Sequence, residues 1–193
     1  MLNKEIETYY PQSRTDWRQW LEKSHQSKQS VWLVYYTKKS NVPSLSWSEA
    51  VDEALCFGWI DSTKKTIDEI SFMQLFSKRK PKSNWSKINK EKIQQLIDSE
   101  QMTKTGYESV ETAKQNGSWT ILDEVEELII PNDLEKAFIK HKGSKDYFLS
   151  LSKSSRKMML SWIVLAKRPE TRHKRIDEVV ESAEQNLKPK HLR

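Results

Sequence analysis

Cysteine occurs once in the chain, at Cys56, which excludes an internal disulfide and any zinc site built from several thiolates. Histidine is nearly as scarce: His25, His141, His173 and His191 are scattered and form no H-x-x-x-H pair. No metal site and no cofactor is therefore expected. With only four glycines, the chain has no G-x-G-x-x-G turn and no Walker loop, and no serine sits in a G-x-S-x-G elbow. Four glycines and six prolines also leave little room for long flexible linkers. The opening residues MLNKEIETYYPQ hold no apolar run, so no secretory signal is expected. The longest apolar stretch, from Met158 to Ala166, is far short of the ~20 residues a membrane span needs. These absences point to a soluble cytoplasmic protein without membrane insertion.

What is present argues for folding. Eight tryptophans (Trp17, Trp20, Trp32, Trp47, Trp59, Trp85, Trp119, Trp162) are incompatible with a disordered chain, which is poor in large aromatics. The 193 residues suit one globular unit or two small ones. A formal charge of +6 permits an anionic partner without requiring one.

The order of local signals predicts an α+β fold: a small, mostly antiparallel sheet with surrounding helices, followed by a helical C-terminal third. Residues 13–27 carry Trp17, Trp20 and Leu21 at helical spacing, and VWLVYYT (31–37) has the β-branched and aromatic pattern of a buried strand. Ser46 with Glu49 makes a capping box, and Gly58 lies just past the end of that helix. WIDSTKKTI and SFMQLFSKR read as an antiparallel pair, followed by helices at about 84–99 and 104–116. Residues 1–122 are read as the α+β domain and 123–132 as an acidic connector. Residues 133–193 then form a helical segment packing on the first domain, with one single domain as the alternative. Asn132 with Glu135 suggests a second capping box, with Gly143 ending that helix. Helices near 154–167 and 170–187 meet at Pro169, which can start the second.

The stretch RKPKSNWSKINK (79–90) concentrates cations without an acid. With a helix beginning near Asn84, Trp85, Asn89, Ile93 and Leu96 share one face, while Lys87 and Lys90 point away. Asn89 then lies on an apolar stripe, where a carboxamide needs hydrogen-bond partners. Arg79, Lys82, Ser83 and Ser86 precede or open the same helix, whose N-terminus suits an anion, although serines there also serve as plain caps. In the last helix Arg172 lies on the face of Ile176, Val179, Val180 and Ala183, with Arg175 beside it. A guanidinium on such a face requires a carboxylate or another anion. Asp61 in GWIDS is the expected partner of Arg172, and a structural ion pair and a ligand-orienting one look alike at this level.

Catalysis has no positive support. Cys56 sits near the C-terminal end of its helix, where the dipole disfavours a thiolate.

Three segments, LSWSEAVDEALCFGWIDS, FSKRKPKSNWSKIN and AKRPETRHKRI, stand in the order and spacing of the YdeI/OmpD-associated (bacteriocin-protection) family. With MTKTGYESVETAKQNGSW between the second and the third, the chain resembles that family over residues 15–187. The resemblance implies protection against bacteriocins and cationic antimicrobial peptides and a stress-response role; association with an outer-membrane porin is proposed for the family's namesake, and the resemblance brings no catalytic residues. A +6 chain repels cationic peptides, so such protection is expected to be indirect.

The leading expectation is a non-enzymatic protein that binds a small anionic ligand through Trp59, Asp61, Arg79, Lys82, Ser83, Trp85, Ser86, Asn89, Arg172 and Arg175. One alternative is a nucleic-acid surface made of Lys78, Arg79, Lys80, Lys82, Lys87 and Lys90 beside Trp85. The other is an enzyme using Asp61 as acid or base beside Arg172.

Overall fold

β-Branched and aromatic runs build the strands, and capped amphipathic runs the helices, of the computed structural model, which describes residues 6–192. The expectation of no export signal rests partly on residues 1–5, which lie outside the described residues. The chain divides into two compact units, Met1–Ser83 with Ile88–Trp119, and Asn84–Lys87 with Thr120–Arg193.

The sheet of the first unit has four strands: β1 (Thr8–Tyr9), β2 (Ser30–Tyr36), β3 (Trp59–Thr66) and β4 (Ser71–Lys78), in the order β1-β2-β4-β3. The expected antiparallel pair is the β3–β4 hairpin, and β4 also pairs antiparallel with β2. Thr8 and Tyr9 add a parallel edge strand, so the sheet is mixed. A two-residue strand carries no periodicity, which is why no sequence pattern announces it. Burial in β2 alternates: Val31, Leu33 and Tyr35 are enclosed, whereas Trp32, Val34 and Tyr36 are half-exposed. The strand is therefore buried on one face, the ordinary condition of a largely antiparallel sheet.

Helices α1 (Arg14–Ser24) and α2 (Trp47–Cys56) cover that face. Trp17 stacks on Trp20 at 5.1 Å and meets Phe76 of β4 edge-on at 5.5 Å, while Trp20 meets Trp59 of β3 edge-on at 5.8 Å. Trp17 Nε1 donates to the Ala50 carbonyl of α2 at 3.0 Å, so the core tryptophan is also hydrogen-bonded. The Ser46–Glu49 capping box is present. Val51, Leu55 and Cys56 are all enclosed, whereas Trp47, which helical spacing places with Val51 and Leu55, is 49% exposed.

After α2 the chain turns at Gly58, whose φ of +70° few other residues adopt at low cost. The Cys56 carbonyl there accepts from Thr103 N at 3.1 Å and Thr103 Oγ1 at 2.6 Å, just before α4 (Lys104–Gln115). Gly106 in the first turn of α4 lies so close that a Cβ would stand 2.2 Å from that carbonyl oxygen. Helix α3 (Lys87–Asp98) begins three residues later than Asn84, so buried Trp85 precedes the helix instead of lying on its stripe.

The second unit is helical: α5 (Asp123–Glu126), α6 (Asn132–Lys140), α7 (Ser144–Ser150), α8 (Lys153–Val164) and α9 (Pro169–Glu184). Its core gathers Val125, Leu134, Phe138, Phe148, Met159, Leu160, Ile163, Ile176, Val179 and Val180. The acidic connector thus contains a short helix that buries Val125. Asn132 is not a cap: Pro131 takes the N-cap position without a side-chain bond, and Asn132 is the first helical residue. Gly143 precedes α7 instead of closing α6, which ends at Lys140. Pro169 starts α9 as expected. Among the described residues, no helix is long and apolar enough to cross a membrane.

Candidate functional site

In a regular strand, residues three apart face opposite sides of the sheet. Asp61 and Lys64 break that rule because β3 is irregular between them. Asp61 pairs with Phe76 and Lys64 with Gln74, residues two apart on β4 and hence on one face. Such a bulge re-aims side chains, and here it brings a carboxylate and an ammonium side by side at the end of the helix-covered face.

Around them lies an open recess of about 370 Å³ lined by Trp47, Asp61, Lys64, Phe72 and Gln74. Asp61 Oδ2 accepts from Trp47 Nε1 at 2.9 Å and from Gln74 Nε2 at 3.1 Å. Gln74 Nε2 also donates to the Ser62 carbonyl at 2.9 Å, which fixes the amide of a residue only 6% exposed. The Lys64 ammonium stands 4.0 Å from the centre of the Phe72 ring, and Phe72 stacks on Tyr35 at 5.0 Å. Burial, and after it the charge on Asp61, push the enclosed Tyr35 phenol far above its usual range. Arg79 follows β4, with its backbone N–H on the Gly58 carbonyl at 2.9 Å. Burial pushes its guanidinium down to about 10 against the opposing pull of Asp61.

Arg172 does not take Asp61 as its partner. Its Nε and Nη2 donate to Asp133 Oδ2 and Oδ1 at 2.5 and 2.9 Å, and Nη1 reaches the Ile163 carbonyl at 3.3 Å. Asp133 stands at the start of α6, and the fork geometry of the guanidinium suits its carboxylate. The Arg172 hydrogen bonds hold the Asp133 carboxyl below the usual range. Arg175 Nη1 donates to the Trp162 carbonyl, and its guanidinium lies 5.1 Å from the Trp162 ring. Both arginines therefore end on carbonyls near the C-terminus of α8, where a positive charge is favoured.

Beside Arg175 a second cavity of about 360 Å³ is lined by Leu165, Lys167, Arg168, Thr171 and Arg175. It holds three cations and a hydroxyl and lies where α8 turns into α9. No side chain caps α9: Arg168 occupies the N-cap position without such a bond.

The other expected site residues are distributed as follows. Trp59 is fully enclosed in the first-unit core, and Trp85 is 2% exposed. Ser83 donates to the Lys80 carbonyl at 2.6 Å in a tight turn, Lys82 is exposed, and Ser86 and Asn89 are half-buried. Trp59, Asp61, Arg79, Lys82, Ser83 and Asn89 belong to the first unit, whereas Trp85, Ser86, Arg172 and Arg175 belong to the second. Of the basic residues, Lys78 donates to the Gln26 carbonyl at 2.7 Å and Lys90 lies over Trp119 at 5.3 Å. Both therefore have interactions within the first unit.

Sequence reasoning missed Trp47, Lys64, Phe72 and Gln74 in the recess, and Lys167, Arg168 and Thr171 in the cavity. A signal existed for Gln74: it interrupts the inward series Phe72, Phe76. None existed for Lys64, because the bulge is invisible to periodicity. Among the described residues, no group of histidine, cysteine, aspartate and glutamate is arranged to hold a metal ion.

Residues 9–109 match the family model described as Domain of unknown function (DUF8412), and residues 127–186 match the one described as Bacteriocin-protection, YdeI or OmpD-Associated. Of the three quoted segments, the first two lie in the former match and AKRPETRHKRI lies in the latter. No curated protein and no solved structure matches the chain.

Proposed function

The chain belongs to the DUF8412 family, and from that membership together with the bacteriocin-protection match at residues 127–186 we propose a non-enzymatic protein of the protective type that binds a small anionic ligand. In this reading the protein works in the cytoplasm and protects indirectly. The observation that carries the proposal is the cavity of Leu165, Lys167, Arg168, Thr171 and Arg175, three cations with no carboxylate in its lining. It lies inside the segment matched to the bacteriocin-protection family. Arg175 uses one of its donors on the Trp162 carbonyl, and a guanidinium fork has five. The uncapped first turn of α9 adds backbone N–H groups and the positive end of a helix dipole.

Arg172 is not in the lining of the cavity. Asp133 neutralises this arginine, which fixes the α8–α9 corner. The Asp61 recess is the poorer anion site, since a carboxylate lies in its lining.

A thermal-shift panel tests the reading. A ligand at a hundred times its Kd adds about 2.7 kcal/mol of stability, which reads as a clear rise in unfolding temperature. Phosphate-bearing metabolites are expected to give that rise, their unphosphorylated counterparts none, and the double variant Lys167→Ala/Arg168→Ala is expected to lose it. A panel without a single phosphate-dependent rise overturns the proposal.

A further inference from the structure

The recess on the first unit has a chemistry opposite to that of the α8–α9 cavity. Its lining comprises two aromatic rings, a carboxylate, a carboxamide and the ammonium of Lys64. Three features show that it is built around a positive charge. The Asp61 carboxylate is held by two neutral donors, Trp47 Nε1 and Gln74 Nε2, and both bonds arrive at Oδ2. Among the described residues no donor reaches Oδ1, and none reaches Gln74 Oε1. Two acceptors are thus left at the recess, although Gln74 itself is almost entirely buried. Finally, the bulge in β3 sets Lys64 on the same face as Asp61, with its ammonium 4.0 Å from the Phe72 ring centre.

An ammonium over an aromatic face is drawn by the ring quadrupole, and the attraction grows as water is excluded. Trp47, with nearly half its surface exposed, is pinned at the rim by its bond to Asp61. An indole fixed in this way is a ready wall for a cation's alkyl chain, and fixing it beforehand lowers the cost of binding. Lys64 is exposed and on a flexible stem, so it can leave for solvent at little cost. The chain's +6 charge does not forbid a cation here, because charges beyond about 8 Å are largely screened at physiological salt. Of the cations nearer by, Lys64 is displaced and Arg79 is half-buried just past the end of β4.

We propose that the recess of Trp47, Asp61, Phe72 and Gln74 binds an alkylammonium group, which replaces the Lys64 ammonium on the Phe72 ring and pairs with the Asp61 carboxylate. Lys64 is then a built-in competitor that keeps the recess filled when no amine is present. This site is independent of the anion cavity of the second unit, and either can fail without the other.

The test follows the Trp47 indole N–H by proton–nitrogen NMR during titration with n-butylammonium, its signal assigned by its loss in Trp47→Phe. Butyrate and 1-butanol serve as anionic and neutral probes of the same length. The expected result is a saturable shift of that signal by butylammonium alone, abolished in Asp61→Asn. In Lys64→Ala binding tightens about fivefold, the change expected when a competing ammonium–ring contact is removed. Lys64→Ala alters only an exposed side chain, so its outcome is decisive even if Asp61→Asn fails to fold. Absence of a saturable shift in Lys64→Ala overturns the proposal. So does an equal response to butanol or butyrate, or undiminished binding in a folded Asp61→Asn.

Discussion

In the first unit Arg14 and Arg18 of α1 converge on one carboxylate, Glu53 of α2, which is only 2% exposed. The same two guanidiniums reach residue 101: Arg14 Nη2 donates to the Gln101 side-chain carbonyl at 2.8 Å and Arg18 Nη2 to its backbone carbonyl at 3.1 Å. In the second unit Arg172 meets Asp133, which is 41% exposed at its side chain, and both Arg172 and Arg175 finish on carbonyls of α8. The first arrangement ties segments far apart in sequence through a single enclosed acid. The second staples one corner between neighbouring helices and leaves its acid half in water. Loss of a buried carboxylate that serves two guanidiniums leaves both without their anion, whereas a half-exposed pair is cushioned by solvent. The units should therefore respond unequally to disruption, the first unit more than the second.

The comparison breaks most sharply at Gly106. A methyl group there must occupy the space of the Cys56 carbonyl, 2.2 Å away, so Gly106→Ala is expected to cost about 3 kcal/mol or to abolish folding of the first unit. Urea denaturation followed by tryptophan fluorescence reads this loss. Next comes Glu53→Gln, which keeps the shape and removes the charge that holds Arg14 and Arg18. Because both arginines are about a third exposed and can turn to water, the expected loss is about 2 kcal/mol, measured in the same way. Arg172→Ala should cost less, about 1 kcal/mol. It should be felt first in the α8–α9 corner, as faster amide exchange near Ile163.

Acid sharpens the contrast further. The folded-state pKa of Asp133 lies below that of the unfolded chain, about 3.9. Its contribution is therefore complete above that value and is lost as the pH falls through the lower, folded-state one. A plot of stability against pH should fall in this acid range for the native chain and fall less steeply in Asp133→Asn. The smallest effect is the least visible: burial first, and Glu53 after it, push the Cys56 thiol up to about 11. A thiol reagent at neutral pH should label it only as fast as the first unit opens.

Which parts of this were legible in the sequence follows from the range of the forces involved. Ser46 with Glu49, the turn at Gly58 and Pro169 at the start of α9 are local signals, and each sits where expected. Asn132 with Glu135 has the same spelling as a capping box but is displaced by one residue, because Pro131 already supplies the extended geometry of the N-cap. Trp47 shares the side of buried Val51 and Leu55 yet is exposed, because it is the first residue of α2, and helical spacing does not record where along its length a helix leaves the core. Arg172 was correctly expected to need an acid, but the choice between Asp61 and Asp133 depends on tertiary neighbours that no spacing encodes. The bulge that pairs Asp61 with Lys64 is likewise a property of the β3–β4 register alone.

Anion binding in the cation-lined cavity of the second unit is read most directly by calorimetric titration with inorganic pyrophosphate. The expected result is saturable one-to-one binding that weakens as salt is raised and disappears in Lys167→Ala/Arg168→Ala, while Arg14→Ala leaves it unchanged. Heats no larger than dilution in the native protein, or equal binding by the double variant, would contradict it.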